Sequence, residues 1–179
     1  MEMTGAQCPI KFVLGGARSG KTQRADSLAL ESGQPVVYVA ACPTGIDTEM
    51  DARIARHREL RPESFATIEN RHDLAQIARE HGGSCLILDC LTLWLYTMTD
   101  RGLSEADILA LLEDELRESR AHASWVIVSS EIGLGVVPIH RETRAFRDLS
   151  GRAQQVVARL ANRVEFMVAG IPMLVKSCD

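Results

Sequence analysis

The chain has 179 residues, of which 46% are hydrophobic and 25% are charged, and its formal net charge at pH 7 is −4. These values are typical of one globular domain with a hydrophobic core, so we expect residues 1–179 to form a single domain. The acidic balance argues against a general nucleic-acid surface. No apolar run approaches the ~20 residues that span a bilayer, and the N-terminus lacks the pattern of a secretory signal.

The five cysteines of the chain form no CxxC pair, and their number is odd. Both facts argue against a disulfide framework and against a structural zinc site. We therefore expect reduced thiols and a cytoplasmic location.

The first half of the chain alternates between strands and helices. Apolar or β-branched runs predict strands, whereas amphipathic patterns predict helices. In chain order, the pattern predicts a strand at 11–14, a helix at 20–31, a strand at 35–40, a helix at 47–60, a short strand at 64–69 and a helix at 73–81. Several of these strands are continuous apolar runs, which favours a mainly parallel sheet covered on both faces.

The second half continues this alternation. The pattern predicts a strand at 85–89, a helix that begins within 91–97, a helix from 105 to about 122, a strand at 125–129, a helix at 143–162, and strands at 164–168 and 173–176. Ser104 is a good N-cap for the helix that follows it, with Asp107 three residues on. The connection from Gly170 to Pro172 is short enough for a hairpin, so we expect the last two strands to be antiparallel.

A phosphate-binding motif lies between the first predicted strand and the first predicted helix. The motif GxxxxGK[ST] is matched without a gap by Gly15, Gly16, Ala17, Arg18, Ser19, Gly20, Lys21 and Thr22. In such a P-loop the backbone N–H groups face the phosphates, Lys21 reaches the outer phosphates and the Thr22 hydroxyl ligates Mg²⁺. The sequence therefore predicts a three-layer α/β domain of the P-loop NTPase type, with a mainly parallel sheet and an antiparallel C-terminal hairpin.

An acidic residue at the end of another buried strand usually accompanies a P-loop. Asp89 follows the apolar run Leu86 to Leu88. We expect this carboxylate to lie on the Mg²⁺ side of the nucleotide.

One histidine has an unusual setting. Arg53 and His57 are four residues apart on one face of the predicted helix, and Arg58 and Arg61 follow closely. A neutral imidazole among arginines could attack the α-phosphate of a nucleotide. From the residues alone, an exposed helix histidine with solvated charges is the commoner interpretation.

Five segments of the chain together resemble a known family. They are GGARSGKT, YVAACPTGIDTEMDARIARHRELRP, LILDCLTLWL, SSEIGLGVVPIHRETRAFRDLSGRAQQ and VAGIP, in this order over nearly the whole chain. They are similar to the bifunctional adenosylcobinamide kinase / adenosylcobinamide-phosphate guanylyltransferase family of cobalamin synthesis.

The resemblance implies two reactions. A nucleoside triphosphate, ATP or GTP, phosphorylates adenosylcobinamide, and GTP then donates GMP to adenosylcobinamide phosphate through a guanylylated histidine that matches His57. With the P-loop and Asp89, we expect Arg58 and Glu69 to bind the nucleotide and Mg²⁺ to accompany it. The resemblance also implies a homo-oligomer, a trimer, and a corrinoid substrate.

Two alternatives remain open from the sequence. A single-activity small-molecule kinase would transfer the γ-phosphate without a covalent intermediate. A nucleotide-dependent switch or motor would instead hydrolyse its nucleotide in response to a partner, although the short chain argues against this class.

Overall fold

The computed structural model describes residues 7–41, 52, 55–56, 58–59 and 61–178. Arg53, His57 and most of the helix predicted at 47–60 lie outside the described residues.

The described residues form a seven-stranded sheet in the order β3-β2-β4-β5-β1-β6-β7. The strands are β1 (Ile10–Gly15), β2 (Val36–Ala40), β3 (Ala66–Glu69), β4 (Cys85–Asp89), β5 (Ser124–Ser130), β6 (Arg163–Val168) and β7 (Ile171–Ser177). Neighbouring strands from β3 to β6 run parallel, and only the β6–β7 pair is antiparallel. The predicted sheet type is therefore confirmed.

Helices cover both faces of this sheet. Those described are α1 (Lys21–Leu30), α2 (Leu74–Glu80), α3 (Leu91–Asp100), α4 (Glu105–Ser119) and α5 (Arg141–Leu160). On one face, α1 packs Ala25, Leu28 and Ala29 against the sheet. On the other face, α2 to α5 enclose a larger core that contains Trp94 and Trp125. Two separate cores on the two faces give the three layers that the sequence predicted.

Local sequence signals explain several element boundaries. The Ser104 hydroxyl accepts a hydrogen bond from the backbone N–H of Asp107 at 3.2 Å, which confirms the predicted N-cap of α4. The predicted hairpin connection was too long, because Ile171 and Pro172 already belong to β7. Ala169 and Gly170 both have positive φ angles, 50° and 83°. Two residues in this conformation are enough to close a tight turn between twisted strands.

Helix α5 begins at Arg141, two residues earlier than predicted, and continues through Gly151. Its buried face, which includes Leu149, Ala153 and Val157, packs into the larger core and outweighs the low helix propensity of one glycine. Among the described residues, no helix has the length and apolar character needed to cross a membrane.

Candidate functional site

The P-loop connects the carboxyl end of β1 to α1. Gly15 pairs with Ser130 of β5 and with Met167 of β6. The P-loop therefore begins at the carboxyl end of an interior strand, between these two neighbours. A Cβ atom on Gly15 would lie 2.8 Å from the Met167 carbonyl oxygen, and one on Gly20 would lie 3.2 Å from the Gly170 Cα. Gly20 also has a φ of 92°. Both motif glycines are thus required by the close approach of neighbouring backbone.

The loop holds polar groups in positions suited to an anion. Arg18 adopts a left-handed φ of 54°, which lets the loop curl, and the loop ends at the N-terminus of α1. The Ser19 hydroxyl is buried and has no hydrogen-bond partner among the described residues. A buried hydroxyl without a partner beside a helix N-terminus fits a phosphate oxygen.

Lys21 lies half-buried above the loop. Its ammonium group donates a hydrogen bond to the Gly16 carbonyl oxygen at 2.5 Å. Burial lowers the pKa of Lys21, and the Asp89 carboxylate opposes this shift. The P-loop lysine is therefore kept close to the loop backbone, where phosphates would lie.

Asp89 ends β4 and meets Thr22 at the start of α1. The Thr22 hydroxyl donates to Asp89 Oδ2 at 3.1 Å, and the Tyr38 hydroxyl donates to the same oxygen at 2.5 Å. Hydroxyl and carboxylate oxygens are hard donors of the kind that Mg²⁺ prefers when it arrives with a nucleotide. These residues therefore fit a Mg²⁺ site. The fold brings together Thr22 and Asp89, the two residues that the sequence predicted for this site.

Tyr38 belongs to this cluster and was missed by the sequence analysis. Burial, and next the Asp89 carboxylate, raise the pKa of Tyr38 far above its usual value, so its hydroxyl stays protonated and donates. The guanidinium carbon of Arg61 lies 3.9 Å from the centre of the Tyr38 ring. The sequence signal that could have indicated Tyr38 is a polar hydroxyl group at the centre of an otherwise aliphatic strand.

Asp26 was also missed. It lies one turn after Thr22 on α1, and therefore on the same helix face. Burial and the Asp89 charge raise the pKa of Asp26 to about 6, and Arg61 opposes this shift. The i,i+4 spacing from Thr22 is the signal that could have found it.

Arg58 and Glu69 form a pair at the outer side of the same edge. Arg58 donates to Glu69 Oε1 at 2.5 Å, and Glu69 is the last residue of β3. Ala40 of β2 pairs with Glu69 on one side and with Asp89 on the other. Glu69 therefore lies two strands from Asp89 at the carboxyl edge, where ligands bind in open parallel sheets. The predicted nucleophile, His57, lies outside the described residues.

The segment after β5 adjoins the P-loop on its other side. The Glu131 N–H donates to the Gly15 carbonyl oxygen at 2.9 Å, and its carboxylate accepts from the Leu134 N–H at 3.1 Å. Arg147 of α5 donates to the Gly133 carbonyl oxygen at 2.5 Å. Glu131 thus fixes the start of its own loop beside the P-loop.

Residues 11–175 match the family model described as cobinamide kinase / cobinamide phosphate guanyltransferase, named CobU. The chain belongs to the CobU family. The resemblance inferred from the sequence is therefore confirmed, and the P-loop edge described above lies inside the matched region.

Curated members of the CobU family match most of the chain. The bifunctional adenosylcobalamin biosynthesis protein CobP of Pseudomonas aeruginosa is 43% identical over 170 residues, which cover 92% of this chain and 96% of that protein. Two proteins named bifunctional adenosylcobalamin biosynthesis protein CobU are also similar. The Escherichia coli protein is 35% identical and the Salmonella typhimurium protein 34% identical, each match covering 92% of this chain and 98% of the relative.

Solved structures with the same fold are more distant. The flagellar accessory protein FlaH from Methanocaldococcus jannaschii has a TM-score of 0.52 at 13% identity, over 96% of this chain and 79% of that one. The P4 protein from bacteriophage phi6 in complex with ADP has a TM-score of 0.50 at 13% identity, over 92% of this chain and 54% of that one. At this identity they support the fold alone.

Proposed function

We propose that this protein catalyses two consecutive steps of adenosylcobalamin biosynthesis. It phosphorylates adenosylcobinamide from a nucleoside triphosphate and then transfers GMP from GTP to the new phosphate. The observation that carries this proposal is the match of residues 11–175 to the family that combines both activities. The P-loop edge, where Thr22 meets Asp89, supports this proposal, because both reactions require a nucleotide site.

In the kinase step, positioning and charge stabilisation supply most of the catalysis. The loop N–H groups and Lys21 would hold the β- and γ-phosphates, while Thr22 and Asp89 would hold the Mg²⁺ ion. When bound, this ion offsets the charge that develops on the phosphate oxygens. The substrate hydroxyl forms a bond to the γ-phosphorus as the bond to the β-phosphate oxygen breaks, and its proton leaves to solvent or to a neighbouring base.

In the guanylyl step, we propose His57 as the nucleophile. Its imidazole nitrogen attacks the α-phosphorus of GTP, and the bond to pyrophosphate breaks. A phosphate oxygen of adenosylcobinamide phosphate then attacks the same phosphorus, so that adenosyl-GDP-cobinamide leaves and the imidazole is restored. The hydrogen bond that ties Arg58, the next residue, to Glu69 at the carboxyl edge supports this proposal.

Covalent labelling tests the guanylyl step. The protein is incubated with Mg²⁺ and GTP labelled at the α-phosphate, and then denatured. We expect a protein-bound label that acid removes and alkali leaves in place, as for a phosphoramidate. His57→Ala should carry no label, whereas His122→Ala should be labelled like the wild type. His122 precedes β5 at the opposite edge of the sheet, which makes it a matched control.

Two results would contradict the covalent mechanism. One is an unlabelled wild-type protein that still phosphorylates adenosylcobinamide, which would favour a single-activity kinase. The other is an undiminished label in His57→Ala, which would move the nucleophile elsewhere.

We also propose that the enzyme acts as a homotrimer. The outer strand β7 exposes Ile171, Met173, Leu174 and Val175 by 56–66%, which supports burial of this strand in an assembly. Light scattering coupled to gel filtration should give three times the mass of the chain, and a monomer mass would contradict the proposal.

A further inference from the structure

We propose that Tyr38 is a positioning residue for the nucleotide site, in which its hydroxyl orients the Asp89 carboxylate towards the Mg²⁺–nucleotide complex. This inference rests on the proposed function, because it assigns Asp89 to that complex.

Strand register places Tyr38 next to Asp89. Tyr38 pairs with Ile87 of β4, and Asp89 lies two residues further along the same strand, on the same face of the sheet. The Tyr38 side chain is 2% exposed and is held among Val36, Ala40 and residues of α1. A buried ring on a strand that is paired on both sides gives its hydroxyl a fixed position, so the 2.5 Å hydrogen bond to Oδ2 is held by the core of the domain.

Two donors approach the same carboxylate oxygen from different elements. The Thr22 hydroxyl comes from α1 and the Tyr38 hydroxyl from β2, and both bond Oδ2. Both hydrogen bonds that the Asp89 carboxylate receives from side chains of the described residues thus fall on one oxygen, which leaves Oδ1 for the metal or its water. Two fixed donors restrict rotation of the carboxylate before any nucleotide binds. Such pre-organisation reduces the ordering cost of binding, as partners of metal ligands do in other sites.

The ring of Tyr38 has a separate contact. The Arg61 guanidinium stacks over it at 3.9 Å from the ring centre. Phenylalanine keeps this platform and removes only the hydroxyl. The substitution Tyr38→Phe therefore separates the bond to Asp89 from the contact with Arg61.

The test measures binding and needs no turnover. Isothermal titration calorimetry gives the Kd of guanosine 5′-(α,β-methylene)triphosphate, which cannot release pyrophosphate, in Mg²⁺ and in EDTA. The ratio of the Kd in EDTA to the Kd in Mg²⁺ reports how strongly Mg²⁺ tightens nucleotide binding. In Tyr38→Phe we expect this ratio to fall roughly tenfold, the effect of one lost hydrogen bond to a charged group, with the Kd in EDTA nearly unchanged.

Two variants serve as comparisons. Tyr96→Phe removes the same atom from the other tyrosine of the chain, which is 48% exposed and stacks edge-on against Phe146, and should leave the ratio unchanged. Asp89→Asn should lower the ratio by itself, and adding Tyr38→Phe to it should have no further effect, because the hydroxyl acts through the carboxylate.

Three results would overturn the inference. They are an unchanged ratio in Tyr38→Phe, an equal loss of affinity with and without Mg²⁺, and an undiminished effect of Tyr38→Phe in the Asp89→Asn background. If Tyr38→Phe did not fold, an unchanged ratio in Asp89→Asn alone would still overturn it. A missing covalent label would contradict only the guanylyl step, because this assay forms no covalent bond.

Discussion

Two carboxylates flank helix α1, and their partners differ. Glu165 of β6 is 1% exposed, and Arg24 of α1 binds it through two hydrogen bonds of 2.7 and 2.9 Å. Arg163 adds a third at 2.7 Å. Asp89 lies on the other side of the same helix and receives hydrogen bonds from two neutral hydroxyl groups.

The difference separates a structural carboxylate, Glu165, from Asp89, which we propose to act on the bound nucleotide. Two guanidinium groups balance the charge of Glu165. Their hydrogen bonds, chiefly the one from Arg24, lower the pKa of Glu165. At Asp89 the described hydrogen-bond donors are uncharged, so its negative charge is available to a cation that arrives with a ligand. Helix α1 is thus fixed to the sheet by Arg24 and holds Thr22 beside Asp89, where we propose that the nucleotide binds.

Asp89→Asn should have the largest effect on activity. It keeps an acceptor for Thr22 and Tyr38 but removes the charge, so both transfer rates should fall on the order of 100-fold or more. Kinase and guanylyltransferase assays at saturating GTP measure the loss. The urea midpoint should stay close to that of the wild type, and a large fall in that midpoint would show that Asp89 is mainly structural.

Glu165→Ala should have the largest effect on stability. Removing the buried partner leaves Arg24 with only the exposed Glu31 as an acidic partner, so we expect a loss of about 3 kcal/mol in the free energy of unfolding by urea. Glu31→Ala is the matched control, because Glu31 also contacts Arg24 but is 56% exposed. That change should cost less than about 0.5 kcal/mol. Similar losses in the two variants would contradict the assigned role of Glu165.

Gly15→Ala tests whether the close packing of the P-loop against β6 requires a glycine at this position. The new Cβ would meet the Met167 carbonyl oxygen at 2.8 Å, and backbone cannot easily move. We expect a loss of about 2 kcal/mol in unfolding free energy without nucleotide. At Gly16 a Cβ meets nothing within 4 Å, so Gly16→Ala should change stability by less than about 0.5 kcal/mol. Equal losses would show that close packing does not select the first glycine.

Asp26→Asn should have the smallest effect, with a defined pH dependence. The pKa of Asp26 is raised to about 6 in the folded protein, so the folded state binds more protons than the unfolded state between about pH 4 and 6. The wild type therefore loses stability as the pH rises through this window. Because Asp26 is only half-buried, we expect Asn to gain about 1 kcal/mol at pH 7.5. Urea unfolding should show this gain vanish near pH 4, and a gain independent of pH would contradict the shift.

The strands and the P-loop could be predicted because their signals are local. Continuous apolar runs identified β2 and β4, and the motif from Gly15 to Thr22 identified its own strand–loop–helix context. The pairing of Thr22 with Asp89 followed from the general rule for P-loops.

Tyr38 and Asp26 could not be predicted in the same way. Their roles depend on strand order, which brings β2 beside β4, and on the depth at which α1 packs. The Arg24–Glu165 pair joins residues 141 positions apart, and no local pattern marks it. Long-range pairs of this kind are visible only in the folded chain.

The products of the wild-type enzyme give the most direct test of its two activities. Purified protein is incubated with adenosylcobinamide, GTP and Mg²⁺, and the corrinoids are identified by mass spectrometry over time. We expect adenosylcobinamide phosphate to form first and then to be converted to adenosyl-GDP-cobinamide. Accumulation of the phosphate without the GDP product, with GTP still present, would contradict a bifunctional enzyme.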